Sequence, residues 1–189
     1  MINQLTTDQN AMQNNFRPPR TYWAKPTQLL AGDYPGEVDE KSSMSKLKRL
    51  LEAGVSYFID LTEEGEFHAY AHLLCRLQSK TEQPIEYHRF PIRDLSVPHD
   101  LAHMTSILES IDLAIGRGHV VYVHCGGGVG RTGTVIGCWY SRYGQGGQAA
   151  LDKLAEVWET NREVAAKRPI SPQTNIQRQF VIDWVNPHL

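Results

Sequence analysis

The chain lacks the features that would mark a membrane-spanning, nucleic-acid-binding or disulfide-stapled protein. No apolar run approaches the ~18 residues that a membrane-spanning helix needs, and the start has no charged-then-apolar leader pattern. Net charge is almost absent: 19 Lys and Arg against 21 Asp and Glu leave −2. No electrostatic case therefore arises for nucleic acid or an anionic membrane as partner. Cysteine is scarce. Cys75, Cys125 and Cys138 form no Cys-x-x-Cys pair and are odd in number, which argues against a disulfide framework. Cys75 and Cys138 are expected in the core. Two histidine pairs, His68/His72 and His99/His103, have helical spacing but neither the glutamate of H-E-x-x-H nor a third ligand. The expectation is a cytoplasmic monomer without metal or other cofactor.

What is present has the rhythm of one layered domain. Residues 1–20 are rich in Asn, Gln and Thr and are expected to form a flexible tail ahead of a domain over 21–189. Strands are predicted at 22–24, 29–31, 55–61, 86–92 and 119–124, and helices at 40–53, 67–78, 100–116, 131–143, 147–161 and 172–185. In the third helix Leu101, Met104, Ile107, Leu108, Ile111 and Ile115 share one face. Ser171 and Pro172 are placed to cap and open the last one. Strands alternating with helices predict an α/β fold, a single domain with a mostly parallel sheet of about five strands flanked by helices.

Between the fifth strand and the following helix runs His124-Cys125-Gly126-Gly127-Gly128-Val129-Gly130-Arg131-Thr132. A short loop of this kind can curl around a tetrahedral dianion. The backbone N–H groups of Gly126, Gly127, Gly128, Val129 and Gly130 would meet the phosphate, aided by the positive end of the helix. Arg131 would add a planar fork for two oxygens. Cys125 would be the nucleophile, in surroundings that stabilise a thiolate. The Thr132 hydroxyl could donate to the sulfur and assist its departure, while His124 would orient the loop rather than act as a base.

The His-Cys-(five residues)-Arg-Thr string resembles the signature of the cysteine-dependent protein tyrosine phosphatases. Arg89-Phe-Pro-Ile-Arg-Asp94-Leu-Ser-Val-Pro98 looks like the mobile general-acid loop of their small dual-specificity members. Pro26-Thr-Gln-Leu-Leu-Ala-Gly32 is similar to their N-terminal strand pair, and Ser171-Pro-Gln-Thr-Asn-Ile-Gln177 to their late helix start. The resemblance spans about residues 21 to 186 and departs at Gln173, where the family commonly has glutamate. It implies that Asp94 protonates the leaving oxygen, with Asp100 as the fallback acid, and that Gln177 positions the hydrolytic water. Asp60, Glu63 and Glu64 follow a buried strand and could approach the rim.

Two other readings compete. Gly128-Val-Gly-Arg-Thr-Gly133 matches the dinucleotide fingerprint G-x-G-x-x-G. Such a site wants a strand after its helix, ending in an acid about 20 residues on, and the acid available, Asp152, falls in a stretch of helical spacing. A silent phosphopeptide-binding module on the same fold would lack the cysteine, arginine or acid, all of which are kept here. The expected substrate is a phosphorylated protein or a small phosphomonoester, because no lysine stands between Cys125 and Arg131.

Overall fold

The computed structural model describes residues 16–80, 83–144 and 146–184. Strands β1 (Thr21–Lys25) and β2 (Leu29–Gly32) lead into helix α1 (Glu40–Glu52) and strand β3 (Val55–Asp60). Helix α2 (Ala71–Leu77), a 3₁₀ turn, strand β4 (Glu86–Arg89), helix α3 (Leu101–Gly116) and strand β5 (Val120–His124) follow. Four more helices follow among the described residues: α4 (Gly130–Arg142), α5 (Gln148–Glu159), α6 (Arg162–Ala165) and α7 (Asn175–Asp183). The sheet order is β1-β2-β5-β3-β4, with only β1 and β2 antiparallel.

Strand alternation sends side chains to two separate cores. Leu29, Ala31, Tyr57, Ile59, Val121 and Val123 face one layer, which contains α3, α4, α5 and α7. Leu30, Phe58 and Tyr122 face the other, built from Leu47 and Leu50 of α1 and Leu73, Leu74 and Leu77 of α2. Both faces are covered, so β3 is buried at every residue, as a central parallel strand should be.

Register places the site. Gly32 pairs with His124, His124 with Asp60, and Asp60 with Arg89, so the four parallel strands end level. The loops that follow them all emerge at one edge of the sheet, where open α/β sheets bind ligands.

Several expected boundaries move for physical reasons. The second helix begins at Ala71 rather than residue 67, because Phe67 stacks on Tyr34 (4.8 Å) and Tyr70 turns its hydroxyl to His124. Strand β4 stops at Arg89, before Pro91, which has no N–H to pair. Ser171 does not cap the last helix. Its hydroxyl donates to the Val129 carbonyl (2.8 Å), and Thr174 caps α7 in a capping box with Gln177. Leu101, expected on the buried stripe of α3, is 61% exposed on the first turn. Residues 17–20 of the expected tail belong to the folded domain: Arg17 donates to the Thr21 and Thr160 carbonyls, Pro18 is buried, and Arg20 pairs with Asp33. Residues 1–15 lie outside the described residues.

Candidate active site

The loop after β5 is tied down by its neighbours. Tyr34 N–H donates to the Gly126 carbonyl (3.0 Å), and the Ser171 hydroxyl holds the Val129 carbonyl. Gly128 has φ +71°, and a Cβ there would lie 2.5 Å from the Gly32 carbonyl carbon, so only glycine fits. Val129, at the start of α4, offers no side-chain cap. The first N–H groups of that helix are thus available to an anion.

Arg131 is only 2% exposed and is held as a fork. Its Nη1 and Nη2 donate to Glu66 Oε2 (2.7 Å) and Oε1 (2.5 Å), and Nη1 also donates to the Ile92 carbonyl (3.0 Å). Burial pushes the Glu66 carboxyl up, but the Arg131 hydrogen bonds outweigh it and hold the group below its ordinary value. Asp94 Oδ1 lies 3.1 Å from Arg131 Nη2. Cys125, Arg131, Asp94, Glu66 and Gln177 thus share one cleft of about 490 Å³.

Beneath the loop is a buried polar cluster. His124 is fully buried, and burial depresses its imidazole to about 4, so the ring is neutral at physiological pH. Its Nε2 shares a 2.5 Å hydrogen bond with the Tyr70 hydroxyl. Asp60 Oδ1, 3.9 Å from His124 Nδ1, accepts from Thr62 N–H and Oγ1, and Asp60 Oδ2 accepts from the Tyr87 hydroxyl. Desolvation would raise the Asp60 carboxyl, but these partners bring it below its ordinary value.

The residues singled out by sequence fall into place unevenly. Of the acids that follow β3, Glu66 and not Asp60, Glu63 or Glu64 reaches Arg131: Asp60 lies under the rim, and Glu63 and Glu64 are exposed. The parallel neighbourhood of β3 and β5 was the signal available for the loop, but nothing marked that particular glutamate. Thr132 is buried, and its hydroxyl has no partner among the described residues, so the expected bond to the Cys125 sulfur is not made in this structure. Asp100 caps α3, its carboxylate accepting from His103 N–H (2.7 Å), which removes the fallback acid from the cleft.

Gln177, expected to position the hydrolytic water, is buried. Its Nε2 donates to the Ser96 carbonyl (2.9 Å) and its Oε1 accepts from Thr174 N–H (3.1 Å). Cys138 is buried in α4, but Cys75 is exposed, because α2 turns Leu73, Leu74 and Leu77 inward instead. Helix α5, not a strand, follows α4, which disposes of the dinucleotide reading.

Residues 18–180 match the family model described as PTP-SAK, the Swiss Army Knife protein DSP-PTPase phosphatase domain. The chain belongs to this family. A curated relative, the putative tyrosine phosphatase 067L of Invertebrate iridescent virus 3, is 30% identical over 120 residues, 58% of this chain. The chain spans 41% and 59% of the lengths of the curated relatives it matches. Among solved structures, Tk-PTP in its active form is 22% identical, with a TM-score of 0.60 over 88% of this chain and 99% of that one. The core catalytic domain of the PP-IP phosphatase SIW14 of S. cerevisiae is 16% identical, with a TM-score of 0.61 over 92% and 90%. Such structures share the DSP-PTPase fold. Among the described residues, no helix of this family member is long and apolar enough to cross a membrane.

Proposed function

We propose that the chain hydrolyses phosphomonoesters through a cysteinyl-phosphate intermediate. In the first step the Cys125 thiolate attacks phosphorus while the ester oxygen leaves with a proton from Asp94. In the second, water attacks phosphorus, Asp94 takes its proton, and the Cys125 thiolate departs, stabilised by Arg131 and the start of α4. Arg131 and the loop N–H groups stabilise the charge spread over the transferring group. His124 stays neutral and holds the loop through Tyr70.

The observation that carries this reading is the fork of Arg131, fixed by Glu66 in the same cleft as Cys125 and Asp94. Asp94 pairs with Arg131 in this structure, so a phosphoryl group entering the fork takes its place and frees the acid for the leaving oxygen. Gln177 is engaged by the acid loop at Ser96. We assign it to holding that loop rather than to positioning water.

For substrate, two carboxylates already balance Arg131, and no lysine lies between Cys125 and Arg131. With Arg131 so matched, the loop itself offers no surplus cations for a dense polyphosphate, which favours a phosphoprotein or small phosphomonoester. The viral relative's description as a putative tyrosine phosphatase supports the same choice.

The test is release of p-nitrophenol from p-nitrophenyl phosphate in excess chelator, with inhibition by vanadate and peroxide. Full loss of turnover in chelator, restored by a divalent ion, would overturn the mechanism. Binding of phosphate without turnover would favour a silent phosphate-binding module.

A further inference from the structure

Arg168 stands at the mouth of the cleft, between α6 and α7. Its backbone is fixed: its N–H donates to the Val164 carbonyl (2.8 Å), and its carbonyl accepts from Nε1 of the buried Trp158 (3.0 Å). The side chain is exposed and reaches over the phosphate loop. Its Nη1 lies 2.9 Å from where a Cβ on Gly127 would be, whereas Arg131 Nη2 lies 3.6 Å from the corresponding point on Gly126. The two guanidinium groups therefore flank neighbouring residues of one loop.

Their electrostatic situations differ. Arg131 is matched by the Glu66 and Asp94 carboxylates, but the Arg168 guanidinium has no hydrogen-bond or ion-pair partner among the described residues. A separate cleft lined by Arg20, Lys46 and Arg49 also carries cations, but there Arg20 is paired with Asp33 and Lys46 with Glu37 (2.5 Å). The wall of Phe67 and Leu95 in the active-site cleft is apolar and part-exposed, so it offers no competing charge. A free guanidinium fork beside an anion cradle is suited to a carboxylate or a phosphate.

We infer that Arg168 forms a second anion subsite, and that the preferred substrates are phosphomonoesters with another acidic group close to the scissile phosphate. This inference rests on the phosphatase reading and narrows its substrate class. The second anion can belong to a residue flanking a phosphorylated residue in a peptide or to a second phosphate on a small polyol. The chemistry at Arg168 is the same.

The experiment compares kcat/KM within two substrate pairs, for wild type and Arg168→Gln. One pair is a phosphotyrosyl peptide with acidic or with neutral flanking residues; the other is inositol 4,5-bisphosphate or inositol 4-phosphate. Wild type should favour the two-anion member of one pair by about tenfold, on the scale of a charge-assisted hydrogen bond, mainly through KM. Arg168→Gln should bring that ratio to about one, and the pair that responds identifies the source of the anion. In wild type alone, raising ionic strength should erode the preference, since an exposed pair is screened.

The absence of any preference, a preference that survives Arg168→Gln, or one insensitive to salt would each overturn the subsite. If wild type turns over none of the four compounds, the phosphatase reading itself fails. Calorimetric binding of the same pairs then decides the subsite independently, by the same ratio.

Discussion

The two loops that meet over the cleft are held in opposite ways. In the phosphate loop Cys125 is 3% and Arg131 2% exposed, two carbonyls are tied from outside, and Gly128 sits against the backbone of Gly32. In the acid loop, Asp94 has 65% of its side chain in solvent, and Leu95 adopts a left-handed φ of +59°. That loop is tethered to α7 by Gln177 on the Ser96 carbonyl and by Thr174 on the Leu95 carbonyl (3.4 Å). Arg131, the proposed charge stabiliser, is organised in advance by buried contacts. Under the proposed mechanism Asp94 must change partners, from Arg131 to a leaving oxygen, and groups that do so sit on the less protected parts of a fold.

The largest effect should come from the buried loop. Cys125→Ser should lower kcat by roughly 10⁵–10⁶-fold, the scale seen when a nucleophile is removed, while phosphate binding persists because the loop amides and Arg131 remain. Loss of both together, measured by kinetics and calorimetry, would mean the cradle is not organised independently of its nucleophile.

On the acid loop, Asp94→Asn should lower kcat by about 10²–10⁴-fold for poor leaving groups, and the loss should shrink for leaving groups of low pKa. Asp100→Asn should show no such dependence, because its carboxylate caps α3. A leaving-group series run on both variants decides between them.

Beneath the rigid loop, His124 links the site to stability. Burial holds its imidazole near 4, below the ordinary 6.5, so the folded state resists protonation that the unfolded chain accepts. The stability contributed is full above pH 6.5 and is lost as pH falls from 6.5 toward 4, a change on the order of a few kcal/mol. Urea midpoints across that window should fall for wild type and flatten for His124→Asn. An equally steep fall in the variant would assign the effect elsewhere.

Much of this was legible in sequence, and the reason is physical. Val55–Asp60 and Val120–His124 are apolar because both sheet faces are covered, and the alternation with helices follows from the parallel connections. The loop proposed to hold phosphate could be picked out because its parts are local: Cys125, the glycines and Arg131 are close neighbours in the chain. What failed was non-local. Glu66 meets Arg131 across 65 residues, and Gln177 meets Ser96 across 81. Neither partnership leaves a mark in spacing, because it depends on β3, β5 and α7 coming together in the fold. Cys75 was misjudged for a related reason, since a short helix with three buried leucines has no further face to hide.

The smallest effect is the one that tests how the two loops communicate. Gln177 sits with its carboxamide against Gly130, where a Cβ would meet Nε2 at 2.9 Å, and donates to Ser96, so it touches both loops at once. If it holds the acid loop, Gln177→Ala should lower kcat by about tenfold, one lost positioning hydrogen bond of ~1.4 kcal/mol. The loss should grow with leaving-group pKa, as for Asp94→Asn. In the Asp94→Asn background the same change should cost almost nothing, because residues acting through one group are not additive. A glutamine that positioned the hydrolytic water would behave differently. Its removal would slow breakdown of the cysteinyl-phosphate whatever the leaving group, and pre-steady-state kinetics would show a burst of the released alcohol followed by a slower steady rate. A burst that appears only in Gln177→Ala, with additive loss in the double variant, would return Gln177 to the water.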